Sequence, residues 1–228
     1  MVRNITFDKI IPKLKSEYFN PRWSKRLPPI EELIFTVLTQ HTSDINAEKA
    51  FKNMMKNLKD FETVLITPKY EIAELIRQGG LANIKSERIV GILSEIKKRT
   101  GSLNIDFLGD MQMEEARDWL TSIKGIGLKT ASCVLAFSFG FPVIPVDTHV
   151  HRVSQRIGLI KEKVSADLAH ALLEDQIAPE ERYGFHVLMI NHGRNQCHAR
   201  NPSCETCILN EECKYKSSKT NKKKNVRL

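Results

Sequence analysis

Four of the five cysteines of the chain lie within seventeen residues near its C-terminal end, in the segment CHARNPSCETCILNEEC. Nothing in the sequence marks the chain as secreted, and reducing compartments keep thiols free, so disulfides are disfavoured. Four thiolates would suit either a structural zinc ion or a four-iron four-sulfur cluster, but only one C-x-x-C pair is present, whereas zinc ribbons usually have two. The spacing therefore favours a metal over disulfides, and an iron–sulfur cluster over zinc. The four residues are Cys197, Cys204, Cys207 and Cys213.

A glycine-rich turn between two helical patterns is the second candidate for chemistry, in the segment LTSIKGIGLKTASCVLAFSFG. Gly125 and Gly127 allow the backbone to turn sharply and to approach a ligand closely. Exposed amides at the start of the second helix would bind an anion such as a phosphate. A plain connection between two helices explains the same glycines, and this motif alone does not decide between the two interpretations.

Lys129 lies in the first turn of the second helix, where the helix dipole disfavours a cation. A lysine whose ammonium form is destabilised can act as a nucleophile and form a Schiff base with a carbonyl carbon. The alternative is a solvated surface lysine that tolerates a small penalty. Cys133, the remaining cysteine, is most simply a small buried hydrophobic residue of the same helix.

Asp147 precedes another helical pattern, in the segment VIPVDTHVHRV. Aspartate is among the best N-cap residues, so capping alone would explain its presence. His149 and His151 are two positions apart on that helix and point in different directions, so we do not expect them to chelate one ion together.

The elements that must position these residues are helical. Apolar residues recur with helical spacing along most of the chain and no stretch alternates as a strand would, which predicts an all-α protein. Residues 30–40 are apolar on most faces and predict a buried helix. Pro142 and Pro145 predict a break in regular structure, where we expect a hinge or a cleft.

Charge and length set the broad class. The chain has 228 residues and a net charge of +8. Seven Lys and Arg residues and no acidic residue fall in residues 214–228, so this basic tail accounts for nearly all of the net charge. We expect the tail to be disordered and to add salt-sensitive affinity for a nearby polyanion. There is neither a long uncharged apolar run nor a signal-peptide pattern, so we expect an intracellular protein with no membrane association.

Taken in order, these motifs resemble the endonuclease III family of DNA glycosylases, in the helix-hairpin-helix superfamily. IKGIGLKTASCVL is similar to that family's glycine hairpin with its catalytic lysine, and VDTHVHRV to its catalytic aspartate segment. NHGRNQCHARNPSC and the cysteines that follow are similar to its iron–sulfur loop. LTQHTSDINAEKA and GLANIKSERI resemble two loops that contact the duplex. The similarity runs from about residue 30 to residue 213.

The resemblance implies that Lys129 is the Schiff-base nucleophile and that Asp147 assists cleavage of the glycosidic bond. It also makes the four clustered cysteines the ligands of a [4Fe–4S] cluster. The implied function is that of a bifunctional DNA glycosylase and abasic-site lyase of base excision repair, acting on double-stranded DNA that contains a damaged base, expected to be an oxidised pyrimidine, or an abasic site. The residues implied in DNA binding are Gln40, His41, Leu81, Gly125, Gly127, Arg194 and Arg200.

Members of this family have two lobes, which implies a six-helix barrel lobe at residues 22–141 that contains the hairpin. The cluster-bearing lobe would comprise residues 1–21 with residues 142–213, and the active-site cleft would lie between the lobes. Residues 214–228 would remain as the basic tail. We expect a monomer.

Lys124 stands where a proline is common in the family, which loosens the hairpin turn without removing its glycines. Gln40 and His41 stand where many relatives align a glutamine or asparagine, and Ala82 where an aromatic residue is frequent. These loop departures bear on the choice of base more than on the type of reaction.

Two alternatives remain. One is a mismatch-directed thymine, uracil or adenine glycosylase of the same fold, against which Lys129 argues because those branches usually lack this lysine. The other is a non-catalytic iron–sulfur module that binds DNA, against which the presence of both Lys129 and Asp147 argues.

Overall fold

A computed structural model describes residues 5–216 of the chain, with side chains from residue 7 onward. Every regular element in that range is helical and none is a strand, which confirms the all-α prediction. The tail expected at residues 214–228 lies outside the described residues from position 217 on. The helices are α1 (Ile5–Glu17), α2 (Pro29–Leu38), α3 (Asp44–Leu58), α4 (Phe61–Ile66), α5 (Lys69–Leu75), α6 (Ala82–Thr100), α7 (Met113–Thr121), α8 (Leu128–Val134), α9 (Thr148–Ile157), α10 (Ala166–Gln176) and α11 (Arg182–Asn195).

The chain divides into two compact units. One, Lys25–Phe141, contains α2 to α8 and is called the hairpin unit below. The other, Met1–Ser24 with Pro142–Leu228, contains α1 and α9 to α11 and is called the cysteine unit. The functional lobes implied by the resemblance, residues 22–141 and residues 1–21 with 142–213, remain a prediction. No helix within the described range is long and apolar enough to cross a lipid bilayer.

Helix α2 forms the centre of the hairpin unit. Leu33, Ile34, Val37 and Leu38 are all fully buried, as predicted for this apolar segment. The helix packs against α3, α6 and α8. One buried helix therefore supports the elements that carry the glycine hairpin and the two loops at residues 39–43 and 80–81.

An ion pair with a buried carboxylate fixes the start of α2. The carboxylate of Glu32 is fully buried, pairs with Arg26 and accepts a hydrogen bond from the Thr36 hydroxyl at 3.1 Å. The Arg26 guanidinium lies over the ring of Phe137, 4.2 Å from its centroid. A buried carboxylate is tolerated only when it is paired and hydrogen-bonded. The pair therefore holds the segment before α2 against the segment that follows α8.

The break predicted at Pro142 and Pro145 is present, since residues 142–147 form no regular element and most of them are buried. Side chains supply the hydrogen bonds that a helix or sheet would otherwise provide. Glu174 accepts from the Ile144 amide at 3.0 Å, and His170 accepts from the Val146 amide at 3.2 Å. Further bonds reach the carbonyl oxygens of this segment from Arg182 and His186. These hydrogen bonds hold the main chain of the extended segment in place and thereby fix the position of its last residue, Asp147.

Candidate functional site

The glycine hairpin joins α7 to α8 through residues 122–127. Gly125 has φ +100°, a conformation that side-chain-bearing residues rarely adopt, and a Cβ there would lie 3.1 Å from Cγ of Arg88. Gly127 is extended, with φ −90°, and a Cβ there would meet no protein atom within 4 Å. The turn itself therefore requires glycine at position 125 but not at position 127.

Lys129 is the second residue of α8 and is half-buried. Its amine is close enough to the thiol of Cys133, one helical turn further on, to interact with it electrostatically. Cys133 is buried, as the sequence predicted, and burial raises the pKa of its thiol, so the group stays neutral. The amine of Lys129 is therefore partly withdrawn from solvent beside a buried neutral group.

The two polar residues of the first predicted DNA loop point in different directions. The Gln40 side chain is half-buried, accepts a hydrogen bond from Arg88 and donates one at 3.5 Å to the hydroxyl of Thr130, the residue after Lys129. His41 is exposed and has φ +54°. Gln40 therefore belongs with the first turn of α8, whereas His41 is the residue that this loop presents to solvent.

The second predicted loop has the same backbone feature. Leu81 is the N-cap of α6, has φ +50°, and is 50% exposed. Left-handed conformations are uncommon for residues other than glycine, and such strained residues concentrate at functional sites. An apolar side chain held outward at a strained position is consistent with a loop that contacts another molecule.

Asp147 caps α9, as the simplest interpretation of the sequence predicted. Its Oδ1 accepts hydrogen bonds from the amides of His149 at 2.9 Å and Val150 at 2.8 Å. Oδ2 takes part in neither bond, so capping occupies only one oxygen of the carboxylate. The rings of His149 and His151 have different partners, Arg152 and the Val164 carbonyl, so these histidines do not face a common site.

The four clustered cysteines are free thiols that line one cavity in the cysteine unit. Within residues 7–216, no three His, Cys, Asp or Glu side chains are grouped tightly enough to bind a single metal ion. A [4Fe–4S] cluster takes one thiolate on each of its four irons, so four thiols around one cavity suit it. Cys197, Cys204, Cys207 and Cys213 are therefore the residues that would hold such a cluster.

Two arginines of α9 hold the start of the cysteine loop, and the sequence analysis missed both. Arg156 donates to the Cys197 sulfur at 3.3 Å and to the carbonyls of His198 at 2.7 Å and Ala199 at 3.0 Å. Arg152 donates to the Cys197 carbonyl at 3.0 Å. Their spacing of four residues places them on one face of α9, but a sequence does not mark a cation whose acceptors are main-chain carbonyls.

A half-buried tyrosine just after α1 and a buried histidine of α11 approach the cavity. The Tyr18 hydroxyl lies 3.1 Å from Nδ1 of His192, and Nε2 of the same ring lies 3.7 Å from the Cys207 sulfur. Burial lowers the pKa of His192 to about 4 and raises the pKa of Tyr18 to about 12, so both side chains are neutral. In a neutral imidazole one ring nitrogen donates and the other accepts, so His192 links the tyrosine hydroxyl to the cysteine sulfur.

Arg194 and Arg200 are both exposed. Arg194 lies in the last turn of α11 and Arg200 in the loop between Cys197 and Cys204. They place positive charge beside the cysteine loop. Gln40, His41, Leu81 and the hairpin residues all lie in the hairpin unit, so the predicted DNA contacts are divided between the two units.

The family model of HhH-GPD superfamily base excision DNA repair proteins matches residues 34–179, and that of the iron–sulfur binding domain of endonuclease III matches residues 197–213. The chain therefore belongs to the HhH-GPD superfamily. The second match supports the assignment of the four cysteines to a [4Fe–4S] cluster.

Known relatives narrow the assignment. Endonuclease III of Thermotoga maritima is 33% identical over 196 residues, which cover 86% of this chain and 87% of the relative. Endonuclease III of Sulfolobus acidocaldarius is 30% identical over 185 residues, 80% of each chain. A solved structure of a trapped covalent intermediate of endonuclease III with DNA superposes with a TM-score of 0.81 at 27% identity, covering 96% of this chain and all of the other. Within the superfamily the chain is a base excision repair DNA glycosylase of the endonuclease III family.

We predict that the full chain, purified without oxygen, is yellow-brown and absorbs near ~400 nm through charge transfer from thiolate to iron. Cys204→Ser should lose this absorbance and most of the bound iron. Cys133→Ser is the matched control, because Cys133 lies outside the cavity, and it should retain both. Colourless protein with one zinc ion per chain would contradict the assignment.

Proposed function

We propose that this glycosylase is bifunctional: it removes a damaged base from double-stranded DNA through a Schiff base on Lys129 and then nicks the strand at the abasic site. The observation that carries the proposal is the position of Lys129, a half-buried amine two residues past the hairpin and beside a buried neutral thiol. The structural relative caught as a covalent intermediate with DNA supports the same chemistry.

The reaction begins when the target nucleotide is turned out of the duplex, since an enzyme cannot reach the sugar of a stacked base. The neutral amine of Lys129 forms a bond to C1′ as the glycosidic bond breaks, and the base departs with the bonding electron pair and a proton. Opening of the sugar ring gives the Schiff base. Loss of a C2′ proton then expels the 3′ phosphate, which nicks the strand. Asp147 stabilises the positive charge that develops on the sugar.

We assign binding of the DNA backbone to the glycine hairpin. Amides at the start of α8 would hold a phosphate without reading sequence. Gly127 supports this role because the turn does not require glycine there, whereas a phosphate that approaches the backbone closely does. Exposed Arg194 and Arg200 would add phosphate contacts beside the cysteine loop. The cluster, when bound, would supply a rigid support for that loop.

We assign contacts with the gap in the duplex, the space left by the extruded nucleotide, to the two strained loops at residues 39–43 and 80–81. His41 and Leu81 are exposed and would fill the space that the extruded nucleotide leaves. Gln40 is turned inward beside Thr130, so we assign it to the neighbourhood of the extruded base rather than to the gap. Its amide can pair with the hydrogen-bonding edge of an oxidised or ring-saturated pyrimidine.

Borohydride should trap the wild-type protein covalently on DNA that contains an abasic site, because it reduces a Schiff base to a stable amine. Lys129→Ala should give no adduct. Lys124→Ala removes another amine from the same hairpin and should still give the adduct. The measurement is a shifted band on a denaturing gel, and the lyase assignment fails if Lys129→Ala is trapped as efficiently as the wild type.

Replacement of Asp147 separates capping from chemistry. Asn is as good an N-cap as Asp, so Asp147→Asn should melt close to the wild-type temperature, while Asp147→Ala should lose about 1 kcal/mol of stability. Both variants should lower the single-turnover rate of base release by about 10²-fold or more, since the negative charge is gone. A wild-type rate for Asp147→Asn would leave Asp147 as a cap only.

A panel of duplexes, each with one altered base, tests the base preference. We expect release of a ring-saturated pyrimidine such as dihydrouracil, followed by strand nicking. Base release and nicking are scored separately. Release of thymine or adenine from a mismatch, with no nick, would favour the mismatch-directed alternative.

A further inference from the structure

Lys85 is a buried cation that the proposed chemistry does not use. It lies in the first turns of α6, and only 2% of its surface is exposed. Its Nζ donates hydrogen bonds of 2.7 Å to two main-chain carbonyls, those of Leu38 and Gly79. Within the described residues no carboxylate forms an ion pair with it, and the charged group that most affects it is another cation, Arg88.

A lysine in this position is costly. Burial, together with Arg88, lowers the pKa of the Lys85 ammonium to about 8, which shows that its surroundings disfavour the charge. An apolar side chain of similar length would fill the same space without that cost, and replacement of buried charges by apolar residues is often neutral or stabilising. Fold stability alone therefore gives a weak reason for a lysine here.

The positions of the two carbonyl acceptors explain better why a lysine is present, because each acceptor precedes one of the loops with a left-handed residue, at residues 39–43 and 80–81. Leu38 is the last residue of α2, and His41 follows three positions later. Gly79 ends the short turn Arg77–Gly79, and Leu81 follows two positions later. Carbonyls at a helix end lack intrahelical partners and carry partial negative charge, so a cation there stabilises both ends at once.

The main chain of α6 strengthens this link. The amide of Lys85 donates to the Leu81 carbonyl at 2.9 Å, so one residue contacts both sides of the second loop. One turn further along α6, Arg88 binds Gln40 in the first loop. The first turns of α6 therefore fix both loops from the same side.

We propose that Lys85 is a positioning residue that sets the spacing between the loops at residues 39–43 and 80–81, so that His41 and Leu81 enter damaged DNA as a unit. The inference rests on the proposed function, in which these loops contact the duplex gap. It assigns Lys85 no contact with DNA and no step of the reaction.

Binding of Lys85→Met to two duplexes tests the proposal. One duplex contains a tetrahydrofuran abasic analogue opposite 2-aminopurine, and the other is undamaged. The measured quantity is the ratio of the two dissociation constants, which should fall by about tenfold, within the range expected for coupled contacts. The rise in 2-aminopurine fluorescence on binding should also fall. Circular dichroism and the cluster absorbance establish that the variant is folded and loaded.

Lys98→Met provides the matched control, because Lys98 lies on the same helix and is exposed. It should leave the ratio unchanged even if lost charge weakens both affinities. A lysine that served folding alone would reduce both affinities through the folded fraction and would also leave the ratio unchanged. An unchanged ratio in folded Lys85→Met overturns the proposal.

A double-mutant cycle keeps the proposal testable if Lys85→Met does not fold. His41→Ala and Leu81→Ala change exposed side chains, and each should weaken binding to the abasic-analogue duplex. If the loops act as a unit, the fold-loss of affinity in the double variant should be smaller than the product of the two single fold-losses. The difference should be a factor of at least about five. Additive losses overturn the role of Lys85. If neither single variant has any effect, the assignment of these loops to the duplex gap fails instead.

Discussion

Buried or half-buried cations that end on main-chain carbonyls hold the candidate functional segments of this protein. In the hairpin unit, Lys85 binds the carbonyls that precede both strained loops. In the cysteine unit, Arg182 binds the Pro142 carbonyl at the start of the extended segment before Asp147, and Arg156 binds carbonyls of the cysteine loop. Each of these segments lacks regular structure, so its carbonyls need partners from elsewhere. A long cationic side chain can supply several donors to such a segment from a rigid helix.

Local patterns marked the residues of the proposed chemistry as candidates, and the resemblance to the endonuclease III family supplied their roles. The helical class, the hairpin, Lys129 and the four cysteines all depend on spacing within a few dozen residues, and spacing is visible in a sequence. The break at Pro142 and Pro145 was predicted for the same reason. The supporting residues were not predicted. Lys85 and Arg156 resemble ordinary surface cations in a sequence, because their acceptors are carbonyls, which every residue has.

From spacing alone, the two hairpin glycines were predicted to have the same role, and so were the two polar loop residues. The geometry distinguishes the members of each pair. Gly125 is required by its positive φ, whereas Gly127 is not, although the pair is symmetric in GIG. Gln40 and His41 are adjacent, but one binds Arg88 and Thr130 while the other faces solvent. Backbone conformation decides which of two adjacent side chains points outward. The left-handed conformation of His41 therefore sets a direction that the order of residues does not show.

Helix α9 shows why a cluster outside the proposed chemistry can still matter to it. Its first turn is fixed by the Asp147 carboxylate, through the amides of His149 and Val150, and its last turn carries Arg156, which binds the Cys197 sulfur and the carbonyls after it. A helix transmits displacement along its axis because its backbone hydrogen bonds are continuous. A cysteine loop ordered by iron would therefore fix one end of the helix whose other end orients the carboxylate. Under the proposed function, the cluster would support base excision through the position of Asp147.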